Sequence, residues 1–235
     1  MNPLPLITTL ATGALIYEGR VYAPDAGATP LFTYERRVHA ADDGGIEAAH
    51  LTRDASGATV VVETARVSPD YALRRFEADN RQQGYRATVT ASDDGHRLHY
   101  ELRRDDGSRA TTDERISAPA VAGPSLHGFI LQHWDALAAG QALPVRMVVP
   151  DKTTSYGFTI RQHQAGAGER TASFSVTPTN WLLRFAIAPL VVTFDRDTRQ
   201  VVRYQGRVPP QRMVDGRSRA FDARVEYTPH APAYR

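Results

Sequence analysis

Alternation of apolar and polar residues with a period of two is the dominant pattern along this chain. Between positions 97 and 103, Leu98, Tyr100 and Leu102 alternate with charged or polar residues, and the segment 221–227 repeats the pattern. Such alternation predicts strands that bury one face and expose the other. One-sided burial is typical of antiparallel sheet, whereas parallel strands read as continuous apolar runs.

Turn signals separate these strands at the intervals expected of hairpins. Asp/Gly clusters occur at 42–45, 54–57, 93–95 and 105–107, and such residues tolerate the positive φ angles of tight turns. We count twelve to fourteen strands by this reading. The predicted fold class is mainly β, a long antiparallel meander that forms a curved sheet or half-barrel. No βαβ unit appears in the sequence, which argues against nucleotide-binding α/β folds.

Two segments depart from the strand pattern and predict helices. An amphipathic helix is expected over about 125–139, with Ser125 as its N-cap and Gly140 just beyond its end. Its apolar stripe has helical spacing and consists of Leu126, Phe129, Ile130, Trp134 and Leu137. A second, short helix over about 180–188 is apolar on nearly every side, so it must be buried, inserted into a cavity or facing lipid.

The expected domain organisation is simple. Residues 1–14 form an N-terminal arm or the remnant of a signal segment, although no Lys or Arg precedes their apolar run. Residues 15–235 form a single β-rich domain, because a meander of this length needs a covering layer that the helix supplies. The small-residue stretch 117–124 marks an internal seam between two parts of the sheet.

Composition narrows the chemistry. The 235 residues include no cysteine, which excludes a disulfide, a thiolate nucleophile and a thiolate metal site. Residues 1–118 carry 14 basic and 18 acidic side chains, whereas residues 119–235 carry 14 and 8. All basic residues except Lys152 are arginine. An arginine-lined concave surface could hold a carboxylate or phosphate, although codon bias in a GC-rich genome produces the same composition.

The histidines give one candidate for chemistry and no metal site. Their spacing matches no metal-binding pattern, so we expect neither metal nor other cofactor. His133 lies beside Trp134 on the buried stripe, where it could be a general base, an anchor for a ligand or a satisfied core residue. The arginines of 196–224 lack aromatic residues on their own strand face, so no nucleic-acid partner is expected.

Several short segments carry a resemblance to known proteins. They are Phe32–Arg36, Gln83–Arg86, Phe129–Leu137 with Gly140, and Tyr156–Ile160. Together they resemble a group of uncharacterised bacterial proteins, usually exported, whose helix ends in W-D-x-L-x-x-G. More loosely, the layout is similar to the lipoprotein-carrier half-barrels of the LolA/LolB type.

The resemblance implies an incomplete curved sheet that is plugged by helices around an apolar cavity. It also implies a periplasmic or envelope-associated location, with a cytoplasmic one as the alternative. A cofactor-free enzyme of violacein biosynthesis uses the same scaffold, so the resemblance does not decide between carrier and enzyme.

The leading hypothesis is a non-catalytic binding or carrier protein for a lipophilic or aromatic small molecule. The segment 181–191 would act as a lid or touch a membrane peripherally. The expected ligand-binding residues are Phe129, His133, Trp134, Trp181, Arg184 and Phe185.

Two other functions stay open at this stage. A cofactor-independent enzyme on the same scaffold would act on a small aromatic or acyl substrate, with His133, Tyr156 and Arg161 as acid/base and anion-holding groups. A structural or interaction module would expose a sheet edge and associate through it. The sequence does not indicate an oligomeric state.

Overall fold

The computed structural model describes residues 13–24, 29–163, 170–181 and 188–230, and these residues build one curved fifteen-stranded sheet. The predicted mainly-β class is confirmed. The strands are β1 (Ala14–Tyr22), β2 (Phe32–Ala40), β3 (Ile46–Asp54), β4 (Thr59–Val67), β5 (Leu73–Asn80), β6 (Tyr85–Ala91), β7 (Arg97–Arg104), β8 (Arg109–Arg115), β9 (Ala120–Val121), β10 (Leu143–Val149), β11 (Thr154–His163), β12 (Thr171–Pro178), β13 (Leu190–Asp195), β14 (Val201–Val214) and β15 (Arg217–Pro229).

The order of the strands makes the sheet curl without closing. It runs β8 to β1, then β15 back to β9, so the first and last strands pair at its centre. The two edge strands, β8 and β9, are separated along the chain by residues 116–119 alone. Glu114 of the edge strand β8 connects to the strands near the other edge: its carboxylate accepts hydrogen bonds from Arg146 Nη2 of β10 (2.7 Å) and from the Ser155 backbone amide of β11 (2.8 Å). The sheet is therefore a half-barrel whose seam is bridged by side chains.

The predicted amphipathic helix is present as two shorter ones. Helix α1 spans Gly123–Gln132 and α2 spans Trp134–Ala138, with the chain bent at His133 between them. The N-cap is Ala122, and Ser125 lies in the first turn, where its hydroxyl accepts the Ala122 amide (3.0 Å). Gly140 has φ +87° and follows α2, as expected of a terminating glycine.

The helices occupy the concave side of the sheet. Helix α1 contacts β3, β4 and β9, while Phe129 and Ile130 share a core cluster with Phe174 and Val192 of the opposite strands. Trp134 packs edge-on against Phe174, with ring centroids 4.9 Å apart. The stripe predicted from sequence is thus the buried face that fills the curve.

Parts of the predicted organisation lie outside the described residues. These include positions 1–12 of the N-terminal arm and positions 182–187 of the short apolar helix. Trp181 is described, and 65% of its surface is exposed. Among the helices of the described ranges, none is long and apolar enough to cross a membrane.

The seating of α1 gives a first testable prediction. A Cβ atom at Gly128 would lie 2.0 Å from the ring of Tyr71. Alanine normally stabilises a helix interior by about 1 kcal/mol relative to glycine. At this position overpacking should outweigh that gain, so we expect Gly128→Ala to lower the free energy of unfolding by about 1–3 kcal/mol. Urea denaturation measures the change.

Its control is the same substitution in a Tyr71→Ala background. There the clash is absent, and Gly128→Ala should be neutral or stabilising. A Gly128→Ala protein as stable as wild type would contradict the described packing of α1.

Candidate functional site

Four polar side chains form a continuous row across the first four strands. Tyr17 of β1 pairs with Arg36 of β2, Arg36 pairs with His50 of β3, and His50 pairs with Glu63 of β4. Directly paired residues of adjacent strands share a face. All four are buried on the concave side. We call Tyr17, Arg36, His50 and Glu63 the polar row.

The first turns of α1 lie over the polar row and are tied to it. The Pro124 carbonyl accepts a hydrogen bond from Arg36 Nη1 (2.5 Å), and the imidazole Nδ1 of His127 is hydrogen-bonded to the Tyr17 hydroxyl. A Cβ at Gly123 would lie 3.3 Å from a carboxylate oxygen of Glu63. The absence of a side chain at Gly123 therefore lets the helix start directly beside Glu63.

Arg36 is a buried cation without a carboxylate partner. It is 6% exposed, and it forms no ion pair with any acidic side chain in the part of the chain that the structure describes. Its Nη1 donates hydrogen bonds to His50 Nε2 (2.7 Å) and to the Pro124 carbonyl, and its guanidinium also interacts with the Tyr17 side chain, whose ring centroid lies 6.0 Å from the guanidinium carbon. A guanidinium has five N–H donors, so these contacts use a minority of them. Buried cations are normally paired.

Burial sets the protonation states around Arg36. Desolvation, with the Arg36 charge as a second cause, lowers the pKa of His127 to about 3 and holds the pKa of His50 well below its usual range. Both imidazoles are thus neutral near pH 7, and His50 Nε2 must accept the proton that Arg36 donates. Burial raises the pKa of Glu63 to about 7 and that of Tyr17 well above its ordinary value.

A cavity of about 50 Å³ opens beside the Tyr17 end of the polar row. Its polar lining includes Arg36, His127 and Arg199, and its apolar lining includes Ile16 and Phe194. That volume holds a few water molecules or the polar head of a larger ligand. Within the described residues there is no cluster of three or more His, Cys, Asp or Glu side chains suited to a metal.

The ligand-binding residues predicted from sequence are placed at different depths. Phe129 and Trp134 are buried in the core, and the Arg199 guanidinium carbon lies 3.8 Å from the centroid of the Trp134 ring. His133 is half-buried, with its ring centroid 4.3 Å from that of Phe129. Trp181 is exposed. Arg184 and Phe185 lie outside the described residues.

The three residues predicted for an enzyme do not form a unit. Tyr156 packs against the core cluster, whereas Arg161 is exposed on the other face of β11. No hydrogen bond or ion pair that the structure describes joins either of them to His133. The geometry therefore gives no acid–base arrangement among His133, Tyr156 and Arg161.

No sequence motif indicates the polar row, although the position of Arg36 carries a sequence signal. Arg36 occupies the same alternation phase as Phe32, Tyr34 and Val38, which places a charge on the inward face of β2. An arginine in that phase is an exception to the pattern, and such exceptions mark functional or strained positions. His127 lies in the predicted helix, and no sequence pattern marks its side chain as part of a site.

Comparison with known proteins adds little to this geometry. No protein-family model and no curated protein matches the chain. Among solved structures, a beta-barrel-like protein of domain of unknown function DUF1849 from Brucella abortus has a TM-score of 0.47 and 10% identity, over 92% of this chain and 98% of that one. A porin-like protein from Bacteroides uniformis has a TM-score of 0.24 and 9% identity, over the same shares. Neither likeness is close enough to bear on function.

The raised pKa of Glu63 predicts a pH dependence of stability. Between its ordinary pKa of 4.5 and its folded pKa of about 7, the folded state keeps a proton that the unfolded state has lost. Stability therefore falls as pH rises through this window. Glu63→Gln removes this titrating group. The free energy of unfolding of the variant should therefore increase relative to that of wild type as the pH rises from about 5 to about 8. The increase should be about 1.4 kcal/mol for each unit by which the folded pKa of Glu63 exceeds its unfolded pKa.

Urea denaturation at several pH values tests this expectation. The matched control is Glu226→Gln, because the Glu226 side chain is 44% exposed and its ion-pair partner is Arg224, which does not titrate in this range. The control should differ from wild type by a constant amount across the range. A constant difference for Glu63→Gln as well would contradict a buried, proton-holding carboxyl at this position.

Proposed function

We propose that this protein is a non-catalytic binding protein that holds a lipophilic or aromatic small molecule by an anionic head group, a carboxylate, at Arg36. The observation that carries the proposal is the buried Arg36, which has no carboxylate partner within the described residues and lines a cavity. An anion placed there would neutralise a charge that no acidic side chain of the described ranges pairs with.

The chemistry of the cavity suits a carboxylate. A guanidinium offers parallel N–H donors that match the two carboxylate oxygens, and such charge-assisted bonds are the stronger kind. The hydroxyl of Tyr17 and the neutral imidazole of His127 add polar atoms at the same wall. Because both histidines beside Arg36 are neutral, the guanidinium is the group that determines the charge preference.

The size and remaining lining of the cavity suit the head of an amphiphile. About 50 Å³ admits a carboxylate and a few carbon atoms but not a whole lipid. Ile16, Leu131 and Phe194 supply apolar contacts beyond the charged wall. The rest of the ligand would pass Arg199, which also lines the cavity and lies over the Trp134 ring. Trp134 and Phe129 then act mainly as the packed floor of the site.

A carrier role and an envelope location extend the same proposal. What supports them is the half-barrel architecture, with α1 held in the concave side of an unclosed sheet, as the similarity to LolA/LolB-type carriers implies. A protein that moves an amphiphile between two membranes would need such a partly open site.

Catalysis on the same scaffold is the alternative, and one contact favours it. The Tyr17 hydroxyl and the His127 imidazole are hydrogen-bonded beside the cavity, as an acid–base pair would be. General acid–base groups work best with pKa values near the operating pH. Burial moves the pKa of Tyr17 upward and that of His127 down to about 3, both away from neutrality. We therefore place binding ahead of catalysis.

The proposal predicts that head-group charge decides affinity. Octanoate and benzoate should bind in isothermal titration calorimetry, and the uncharged analogues octanol and benzyl alcohol should bind roughly tenfold to a hundredfold more weakly, because they lose a charge-assisted hydrogen bond. Arg36→Met should reduce carboxylate affinity by a similar factor and leave the affinity for the alcohols nearly unchanged.

Two further variants make the result interpretable. Arg36→Lys keeps the charge but loses the planar guanidinium, so it should bind carboxylates with intermediate affinity. This result would show that the loss of affinity in Arg36→Met comes from the lost charge and not from misfolding. Arg37→Gln removes the neighbouring arginine, which pairs with Glu35 instead, and should bind like wild type. Equal affinity for acids and alcohols, or no loss in Arg36→Met, would overturn the proposal.

A further inference from the structure

The turn between β13 and β14 holds Arg199 in an unfavourable backbone conformation. The turn is closed by backbone hydrogen bonds from the Asp195 amide to the Gln200 carbonyl (2.9 Å) and from the Arg199 amide to the Asp195 carbonyl (3.0 Å). Arg199 has φ +58°, in the left-handed region that glycine, asparagine and aspartate adopt most readily. Arginine at this position is therefore less favourable for the backbone than glycine would be.

Positive φ angles at bulky residues coincide with the cavity beside Arg36. Four non-glycine residues of the described ranges have positive φ, and they are Tyr71, Thr153, Arg199 and Asp215. Tyr71 and Arg199 both line the cavity. Strained backbone of this kind persists where the surrounding structure holds it, and it is common at sites that clamp a ligand. The strain at Arg199 therefore directs attention to what its side chain does in the cavity.

The Arg199 side chain is held by its flat face alone. Its guanidinium carbon lies 3.8 Å above the centroid of the Trp134 ring. Within the described residues, the guanidinium donates no hydrogen bond and forms no ion pair. A guanidinium has five N–H donors in its plane, and stacking on a ring engages only the face. The N–H groups of Arg199 are therefore available to an acceptor in the cavity.

The acidic residue that opens the turn is occupied by the turn itself. Asp195 Oδ1 accepts hydrogen bonds from the Asp197 amide (3.0 Å), the Thr198 amide (2.8 Å) and the Thr198 hydroxyl (3.0 Å). The hydrogen bonds from Thr198 are the main reason why the pKa of Asp195 lies below its usual range. This carboxylate stabilises the loop on which Arg199 sits and forms no ion pair with it.

The cavity therefore has two cations and no described anion in its wall. Arg36 and Arg199 both line it, and the described lining contains neither Asp nor Glu. His127, the titratable residue between neutral and positive charge in this wall, is neutral near pH 7 because burial lowers its pKa to about 3. A single carboxylate would balance one of the two charges. The second remains for another anionic group.

We propose that the ligand is a dicarboxylate, whose first carboxylate binds Arg36 and whose second binds Arg199. The inference rests on the proposed function, because it takes Arg36 as the site of the first group. Bonds between a guanidinium and a carboxylate are charge-assisted and stronger than neutral ones. Leu131, Phe194 and Val201 supply apolar lining between charged groups, which suits a chain of methylene groups joining the two carboxylates.

Isothermal titration calorimetry with a matched pair of ligands tests the second carboxylate. Suberate and its monomethyl ester have the same chain, but the ester carries one charge instead of two. Wild type should bind suberate on the order of tenfold more tightly than the ester at pH 7.5, because only suberate makes a charge-assisted contact with each arginine. Higher salt should reduce this preference.

Three variants assign the preference to Arg199. Arg199→Gln should bind suberate and the ester alike, and its affinity for octanoate should stay within a few-fold of that of wild type. Arg199→Gly should behave in the same way, and it guards against misfolding because glycine readily adopts the φ of this position. The matched control is Arg203→Gln, which removes one charge from an exposed residue of β14 outside the cavity lining and should keep the preference.

The outcomes separate this inference from the function on which it rests. If octanoate fails to bind wild type, the proposed function and this inference both fall. If octanoate binds and depends on Arg36, but suberate binds no more tightly than its ester, the inference alone is overturned. A preference that persists in Arg199→Gln, or that Arg203→Gln removes equally, would also overturn it and leave Arg199 as a cover for the Trp134 ring.

Discussion

The contact on which the rest of this structure depends is that between the Arg36 guanidinium and the Pro124 carbonyl. It joins the second strand to the start of α1, 88 positions later in the chain. Through it a helix is fixed against the concave side of the sheet, where its apolar stripe can fill the core. The same contact holds the positively charged guanidinium in the interior of the protein. A buried charge without a partner carries a large desolvation cost.

The burial of the Arg36 charge connects the fold to the proposed function. The neighbours that burial provides for Arg36 are neutral histidines and a tyrosine hydroxyl, and none of them cancels its charge. A stable all-apolar core would have been simpler to build from this sheet. Under the proposed function, a ligand carboxylate in the cavity beside Arg36 supplies the partner charge that no acidic side chain of the described residues provides.

The sequence predicts the strands and the helix well, but it predicts poorly which side chains of different elements come into contact. Alternation such as that of Leu98, Tyr100 and Leu102 is a local property, so the strands and the buried helix stripe can be recognised from it. The polar row depends on the register of four strands, which local pattern does not determine. The inward phase of Arg36 could have been recognised, whereas the approach of His127 to Tyr17 requires the position of α1, which tertiary contacts set.

The most direct test of the account is an NMR titration of the Arg36 guanidinium, assigned by comparison with Arg36→Lys. Adding octanoate should shift the Arg36 Nε–H resonance in a saturable way, with the same dissociation constant as calorimetry gives, and octanol should leave it in place. Binding of octanoate without any change at Arg36, or an equal response to octanol, would contradict a carboxylate site built on this residue.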